Sequence, residues 1–239
     1  MALLPWIQGT VINIREETAD TRRFWIQVEG EHRFDFKPGQ FVTLDLPIHE
    51  KPNKRWRSYS IASAPDGTNV FELLIVLNPE GLGTPYLFNQ VSVGSALTLR
   101  GPQGVFLLKE PIDRSVFFIC TGTGIAPFRS MLRDILHQQR PHQSLYLIYG
   151  SRYQSHLFYA DEMRTLENEL IDFHYIPTLS RDNWDGKTGY VHAVYEELCA
   201  ERQPAHFYLC GWRNMIDEAK QRILAMGYDK KDIHLEIYG

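Results

Sequence analysis

The sequence predicts a β plus α/β protein, with an N-terminal antiparallel Greek-key β-barrel followed by a five-stranded parallel, doubly wound sheet of the Rossmann type. Two observations lead to this prediction. Residues 1–110 contain short runs of Val, Ile, Thr and aromatic residues, whereas residues 111–239 alternate between apolar runs and segments with helical periodicity. We therefore expect two domains, 1–110 and 111–239.

Six short strands are predicted in the first domain. Their sequences are TVINIRE, RFWIQVE, QFVTLDL, SYSIAS, VFELLIVL and SALTLRG. Turn residues such as Pro38-Gly39, Pro65-Asp66-Gly67 and Gly101-Pro102 separate them. Because no segment between them has a convincing helical pattern, these strands favour an antiparallel barrel.

The second domain opens with SVFFIC, residues 115–120, a continuous apolar run typical of a buried parallel strand. A helix is predicted from about Pro127, since Phe128, Met131, Leu132 and Ile135 follow helical spacing. Four further strands alternate with helices, and their sequences are SLYLIY, DFHYIPTLS, HFYLC and IHLEI. Five strands in this alternation predict the doubly wound sheet.

Composition excludes several classes of function. The net charge of −4 argues against nucleic acid as the main partner, because phosphate binding needs a basic face. No run approaches the ~20 apolar residues of a membrane span, and the first residues do not resemble a signal peptide. The three cysteines form no C-x-x-C pair and the nine histidines no ligand spacing, so we expect no metal site and a cytoplasmic location.

The first strand–helix turn of the second domain is CTGTGIAPF, the position at which open α/β sheets bind phosphates. Gly122 and Gly124 allow close approach of an anion, and Thr121 and Thr123 offer hydroxyl groups. Pro127 suits the first turn of a helix. The turn is not the G-x-G-x-x-G fingerprint, so taken alone it is either a binding turn or a tight connection.

Two Ser-Arg pairs end neighbouring strands of the same predicted sheet. Ser151-Arg152 follows the second strand and Ser180-Arg181 the third, while Cys210 and Gly211 end the fourth. Guanidinium groups bind phosphate bidentately. Each pair alone is consistent with a surface loop, but two pairs at neighbouring strand ends favour a site for a 2′-phosphate.

The stretch RWRSYSIAS in the first domain combines cationic, aromatic and hydroxyl side chains on one predicted strand. Arg57 suits a pyrophosphate, Tyr59 can stack on a planar heterocycle, and Ser58 or Ser60 can donate a hydrogen bond to its edge. Ile61 continues the strand. An amphipathic surface strand is the alternative interpretation.

Together these motifs resemble the ferredoxin–NADP reductase superfamily of flavoproteins across essentially the whole chain. RSYSIAS is similar to the R-x-Y-S flavin motif of that family, which places Arg57, Tyr59 and Ser60 on the flavin. GLGTPYL resembles the segment that holds the flavin pyrophosphate, so Gly83 and Thr84 carry over. TGTGIAPF and CGWRNM resemble the turn for the nicotinamide dinucleotide and the Cys-Gly segment beside the nicotinamide.

The C-terminal sequence LEIYG resembles the ending of plant-type members. The resemblance implies that Tyr238 stacks on the flavin ring and moves for the nicotinamide, while Glu236 assists proton transfer with Ser60. With Cys210 beside the nicotinamide, these four residues are the candidate catalytic set. Gly239 and Trp212 depart from the family pattern, and Tyr238 as a frayed terminal residue is the alternative.

The resemblance implies hydride transfer from NADPH to bound FAD, and then single-electron transfer to a separate carrier such as ferredoxin or flavodoxin. FAD is favoured over FMN because Gly83 and Thr84 suit a pyrophosphate. NADPH is favoured over NADH because Ser180, Arg181 and Arg152 resemble 2′-phosphate contacts, with Tyr190 stacking on adenine. We expect a monomer.

Three alternatives remain open. The first is an NADH-dependent reductase component of an oxygenase or desaturase, and the second is a flavin reductase. The third is an electron-transfer subunit that binds its cofactors only within a larger complex. Relatives of that third kind carry a C-terminal cysteine cluster, which this sequence lacks.

Overall fold

The computed structural model describes residues 4–238, and the chain divides into two units. Unit 1 comprises the chain up to Leu107 together with Arg129–Asp134, and unit 2 comprises Leu108–Phe128 and the chain from Ile135 onward. The domain limits 1–110 and 111–239 stay a prediction of the sequence.

Unit 1 contains a six-stranded antiparallel sheet. Its strands are β1 (Ile7–Thr18), β2 (Thr21–Val28), β3 (Phe41–Asp45), β4 (Trp56–Ser60), β5 (Val70–Val76) and β6 (Ala96–Gln103). They pair in the order β4-β3-β6-β1-β2-β5. The two edge strands are joined where Ile61, just beyond β4, forms a bridge with Leu73 of β5. The six predicted strands are therefore present, and they close on one another as a barrel does.

Alternating apolar residues of these strands form the core of unit 1. Val42, Leu44, Leu99 and Phe71 are fully buried in it. The sequence pattern suggested no helix among these strands, and this reading was wrong. Helix α1 (Gly83–Asn89) follows β5 and buries Leu87 in the same core. This helix has only seven residues, which is too few to show clear helical periodicity in the sequence.

Unit 1 also contains a buried ion-pair network around Glu72, which is only 2% exposed. Arg23 donates to both carboxylate oxygens of Glu72, at 2.6 Å and 3.1 Å. Arg129 donates to Glu72 at 3.2 Å and to the carbonyl of Ala62 at 2.8 Å. Ser130 donates to the carbonyl of Ser63 at 2.6 Å. The segment Arg129–Asp134 is thus bonded into unit 1.

Unit 2 contains a six-stranded parallel sheet with the strand order β10-β9-β8-β7-β11-β12. The strands are β7 (Ser115–Thr121), β8 (Leu145–Ser151), β9 (Phe173–Leu179), β10 (Lys187–Thr188), β11 (Ala205–Trp212) and β12 (Ile233–Tyr238). The helices are α2 (Ile125–His137), α3 (Ala160–Glu169), α4 (Val191–Leu198) and α5 (Arg213–Ala225). Five of these strands were predicted, and the two-residue β10 is additional.

Helix α2 begins at Ile125, two residues before the predicted start at Pro127, and a single 3₁₀ turn over Gly122–Gly124 precedes it. Pro127 is therefore buried within the first helical turn. Cys120, Cys199 and Cys210 are buried free thiols. Among the helices of residues 4–238, none has the length and apolar character needed to cross a membrane.

Candidate functional site

In unit 1, Arg57 of β4 lies across the start of helix α1. A Cβ atom on Gly83 would come within 2.8 Å of Arg57 Cγ and 3.0 Å of its Nε, so only glycine admits this approach. One terminal nitrogen of Arg57 donates to the carbonyls of Lys54 and Trp56, at 3.0 Å and 2.8 Å. No carboxylate in the described chain pairs with Arg57, so its charge is available to an anion.

The neighbours of Arg57 on β4 differ in exposure. Tyr59 packs against the core. Burial raises the pKa of its hydroxyl well above the usual range, and the smaller opposing effect of the Arg57 charge does not cancel this rise. Ser60 is 5% exposed, whereas Ser58 is exposed and its hydroxyl lies 3.0 Å from that of Thr43. Ile61 is fully buried and its amide donates to Gln40, so its side chain cannot line an open site.

Thr84 closes the loop that leads into helix α1. Its hydroxyl accepts a hydrogen bond from the amide of Asn78 at 2.8 Å and donates to the carbonyl of Asn78 at 3.2 Å. This double contact holds the loop that presents Gly83 beside Arg57. The structure therefore brings Arg57 and Gly83 together. The Thr84 hydroxyl forms hydrogen bonds with the backbone of Asn78, in the same loop.

In unit 2, the turn Gly122–Gly124 lies against the end of β11. A Cβ atom on Gly124 would approach the carbonyl oxygen of Cys210 to 2.4 Å and the amide of Gly211 to 3.0 Å. Gly211 has a φ of +140°, and a Cβ there would lie 2.6 Å from Thr121 Oγ1. The backbone segments predicted to bind the dinucleotide are thus in contact, with Thr123 at the centre of the turn.

Thr121 carries a buried hydroxyl oxygen without a hydrogen-bond partner in the described chain. A buried hydroxyl without a partner is energetically costly, and a polar ligand at this turn would satisfy it. The close backbone approach at Gly124 and Gly211 and this hydroxyl group fit a dinucleotide pyrophosphate, whose oxygens accept hydrogen bonds.

The two Ser-Arg pairs lie side by side, as their positions at neighbouring strand ends predict. The amide of Ser180 donates to the carbonyl of Ser151 at 3.0 Å, and the amide of Arg181 donates to the carbonyl of Arg152 at 3.0 Å. Both guanidinium groups are on exposed residues, and neither forms an ion pair with any described carboxylate. Asp182 instead accepts a hydrogen bond from the amide of Gln154.

Cys210, Glu236 and Tyr238 come together because β11 and β12 pair in parallel, with Cys210 opposite Glu236 and Trp212 opposite Tyr238. Burial and then the Glu236 carboxylate raise the pKa of the Cys210 thiol well above its usual range, while a hydrogen bond with Tyr238 lowers it. Cys210 is therefore a neutral thiol at neutral pH. Tyr238 is the last residue of β12 rather than a frayed end.

A pocket of about 400 Å³ opens at this end of the unit 2 sheet. Its lining residues are Arg152, Trp212, Arg213, Asn214 and Tyr238. Two guanidinium groups and an amide can donate hydrogen bonds to a nucleotide, and two aromatic rings can stack on its planar parts. Trp212, Arg213 and Asn214 were not among the candidate residues, although they directly follow the predicted Cys-Gly pair.

Tyr190 immediately precedes helix α4 and is 74% exposed, so its ring is free to stack. Tyr149 of β8 is a further residue that sequence reasoning missed. It is fully buried and contacts the carbonyl of Gly122 through its hydroxyl at 3.0 Å. In the part of the chain that the structure describes, no group of three or more His, Cys, Asp or Glu side chains could hold a metal ion.

Two family models match the chain, an oxidoreductase FAD-binding domain over residues 8–107 and an oxidoreductase NAD-binding domain over residues 118–221. The chain is also 36% identical to ferredoxin–NADP reductase B of Sorangium cellulosum, with 97% of each chain covered. It belongs to the ferredoxin–NADP reductase family. The protein is therefore an NAD(P)H-dependent flavin oxidoreductase with FAD-binding and NAD(P)-binding regions.

Two further proteins, one compared by sequence and one by structure, are similar to this chain. The anthranilate 1,2-dioxygenase electron transfer component of Acinetobacter baylyi is 35% identical over 89% of this chain and 61% of its own length. A ferredoxin NADP⁺ reductase structure from Neisseria gonorrhoeae with bound FAD and NADP is 25% identical. It superimposes with a TM-score of 0.81, covering 97% of this chain and 98% of its own.

Proposed function

We propose that this reductase takes a hydride from NADPH onto FAD and passes single electrons to a separate carrier, ferredoxin or flavodoxin, in the cytoplasm. The observation that carries the NADPH assignment is the pairing of Ser151-Arg152 with Ser180-Arg181. The two guanidinium groups, on adjoining backbone segments, have no carboxylate partner among residues 4–238. A 2′-phosphate, which NADH lacks, is the group that such a pair would recognise.

FAD would be held by the residues around β4 and helix α1. Arg57 would supply a cation for the pyrophosphate, and Gly83 leaves room for the Arg57 side chain beside helix α1. Tyr59 would offer a ring for the flavin. Ser60 would contribute a hydroxyl group beside the reacting part of the ring. When bound, FAD supplies the conversion between two-electron and one-electron transfer.

The nicotinamide end of NADPH would lie at the ends of β11 and β12. The Cys210 thiol stays neutral there, because burial and Glu236 raise its pKa, so it presents no charge to the nicotinamide ring. Tyr238 would cover the flavin until the nicotinamide displaces it, and Glu236 would hold a proton nearby. These residues orient the ring and exclude water, which is the main task of the protein in such a transfer.

A second candidate function is that of an NADH-dependent reductase component of an oxygenase. It is supported by the 35% identity to the electron transfer component of Acinetobacter baylyi. It is also supported by the position of Asp182, which follows Arg181 and accepts a hydrogen bond from the amide of Gln154. A carboxylate beside the two arginines would disfavour a 2′-phosphate by charge repulsion. We rank it second, because the similarity to the Sorangium protein extends over 97% of both chains.

The decisive experiment is an anaerobic titration of the flavin-loaded protein with NADPH and, separately, with NADH, followed by visible absorbance. We expect rapid bleaching by NADPH and slow bleaching by NADH. Arg181→Ala should raise the KM for NADPH by about tenfold, the loss of one charge-assisted hydrogen bond, and should leave the KM for NADH nearly unchanged. Arg164→Ala, which removes an exposed arginine of helix α3, is the matched control.

Faster bleaching by NADH, or an equal effect of Arg181→Ala on both nucleotides, would exclude the NADPH assignment and favour the oxygenase reductase. Tight retention of FAD through turnover would exclude a flavin reductase that releases its product. Failure of the isolated chain to reduce artificial acceptors would favour a subunit that works only within a complex.

A further inference from the structure

Tyr149 is a fully buried tyrosine of β8 whose hydroxyl group has three backbone partners. The oxygen lies 3.0 Å from the carbonyl of Gly122 and 3.1 Å from the carbonyl of His156, the two acceptors for its proton. It also accepts a hydrogen bond from the amide of Phe158 at 3.3 Å. A single side chain thus connects the glycine turn to the segment that leads into helix α3.

The contact with Gly122 determines which way a peptide group faces. In a trans peptide the carbonyl and the following N–H point in opposite directions. Because the Gly122 carbonyl points to Tyr149, the amide of Thr123 points away from it. Gly122 has a φ of +55°, in the region that glycine enters and leaves without a steric penalty. The amide of Ile125 also donates to the Gly122 carbonyl across the 3₁₀ turn, so the Tyr149 hydroxyl is the second donor that holds this orientation.

We propose that Tyr149 is a positioning residue for dinucleotide binding, which holds the Gly122 carbonyl away from the pyrophosphate and aims the Thr123 amide toward it. An anion at a turn is stabilised by N–H groups and repelled by the partial negative charge of a carbonyl oxygen. This inference rests on the proposed function of the turn as the pyrophosphate site. Because NADPH and NADH share the pyrophosphate, Tyr149 should contribute equally to the affinity for both nucleotides.

The neighbouring strand provides a matched control. Tyr175 of β9 is also buried, but its hydroxyl oxygen has no hydrogen-bond partner in the described chain. Tyr149→Phe and Tyr175→Phe therefore remove the same atom from two buried rings of one sheet, and only the first removal takes a hydrogen-bond donor from the Gly122 carbonyl.

The test measures the dissociation constants of NADP⁺ and NAD⁺ for the flavin-loaded variants by calorimetric titration. We expect Tyr149→Phe to weaken both by about tenfold and by the same factor, so that the preference between them is retained. In turnover, the KM for the reduced nucleotide should rise while kcat at saturation stays the same. Tyr175→Phe should bind both nucleotides as the wild type does.

Unchanged affinity in Tyr149→Phe, or weakening of only one nucleotide, would overturn the inference and leave the proposed function intact. A flavin-loaded wild type that binds neither nucleotide would overturn both. If Tyr149→Phe does not fold, the amide resonance of Thr123 in the labelled wild-type protein answers the same question. It should shift strongly on addition of NADP⁺ and of NAD⁺, and an unshifted resonance would overturn the inference.

Discussion

Replacing Gly124 by alanine tests whether the glycine turn binds the nucleotide. The new Cβ would lie 2.4 Å from the carbonyl oxygen of Cys210 and 2.7 Å from its carbon. Since Cβ atoms essentially never come within 3.0 Å of such atoms, the turn must move by at least about 0.6 Å against a rigid strand. Overpacking of this kind costs about 1–3 kcal/mol of stability.

The functional effect should be larger than the effect on stability. A displacement approaching 1 Å at a positioning element costs on the order of 100-fold in rate, so we expect kcat/KM for NADPH to fall by about that factor. Flavin content should stay at the wild-type level, because Arg57 and Gly83 are in unit 1. The assay is steady-state reduction of ferricyanide, together with thermal unfolding and the flavin absorbance of the purified variant.

Gly122→Ala is the control within the same turn. Its φ is +55° and nothing lies within 4 Å of the added Cβ, so it carries only the left-handed backbone penalty of about 1–2 kcal/mol. The two variants should therefore have similar stability, while Gly124→Ala loses far more activity with the nucleotide. Equal kcat/KM values in the two variants, or wild-type kinetics in Gly124→Ala, would refute the assignment of this turn.

Three further predictions address other parts of the molecule. Arg57→Ala should purify with less than about a tenth of the wild-type flavin, because a charge-assisted contact is lost; a full flavin content would contradict the site on β4. Removing Tyr238 and Gly239 should increase the affinity for NADP⁺ several-fold, as measured by difference absorbance, and an unchanged affinity would show that Tyr238 does not cover the flavin. Burial lowers the pKa values of His206 and His234, the latter to about 4. Because the folded protein keeps these histidines neutral, their contribution to the free energy of unfolding is complete above pH 6.5, and it is lost as the pH falls from 6.5 toward 4. Chemical denaturation should show a smaller loss between pH 7 and pH 5 in His234→Gln than in the wild type, and an equal loss would contradict the prediction.

The strands were predictable because their signals are local. Alternating apolar residues in β2 and continuous apolar runs in β5, β7 and β8 follow from which faces are buried, and burial selects residue type directly. Strand β10 has no such signal, since Lys187 and Thr188 are both exposed. The start of α2 was misplaced because Pro127 indicates a first turn without showing where within it the proline lies.

The candidate site was predictable only where a motif marks it. The glycine turn, the two Ser-Arg pairs and the Cys-Gly pair all stand at strand ends, so sheet topology brings them together. Arg213 and Asn214 line the pocket because helix α5 starts at that point. Tyr149 resembles any apolar residue of a buried strand, and only the position of its hydroxyl group beside Gly122 distinguishes it.

Unit 1 is assembled from two separate stretches of the gene. Codons beyond Leu107 encode Arg129 and Ser130, which donate to Ala62, Ser63 and the buried carboxylate of Glu72. A fragment that ends at Leu107 would therefore lack Arg129–Asp134, which belong to unit 1. In chimeras with a relative, the barrel and residues 129–134 must come from the same parent, so exchange of the two halves as simple cassettes would produce mismatched proteins.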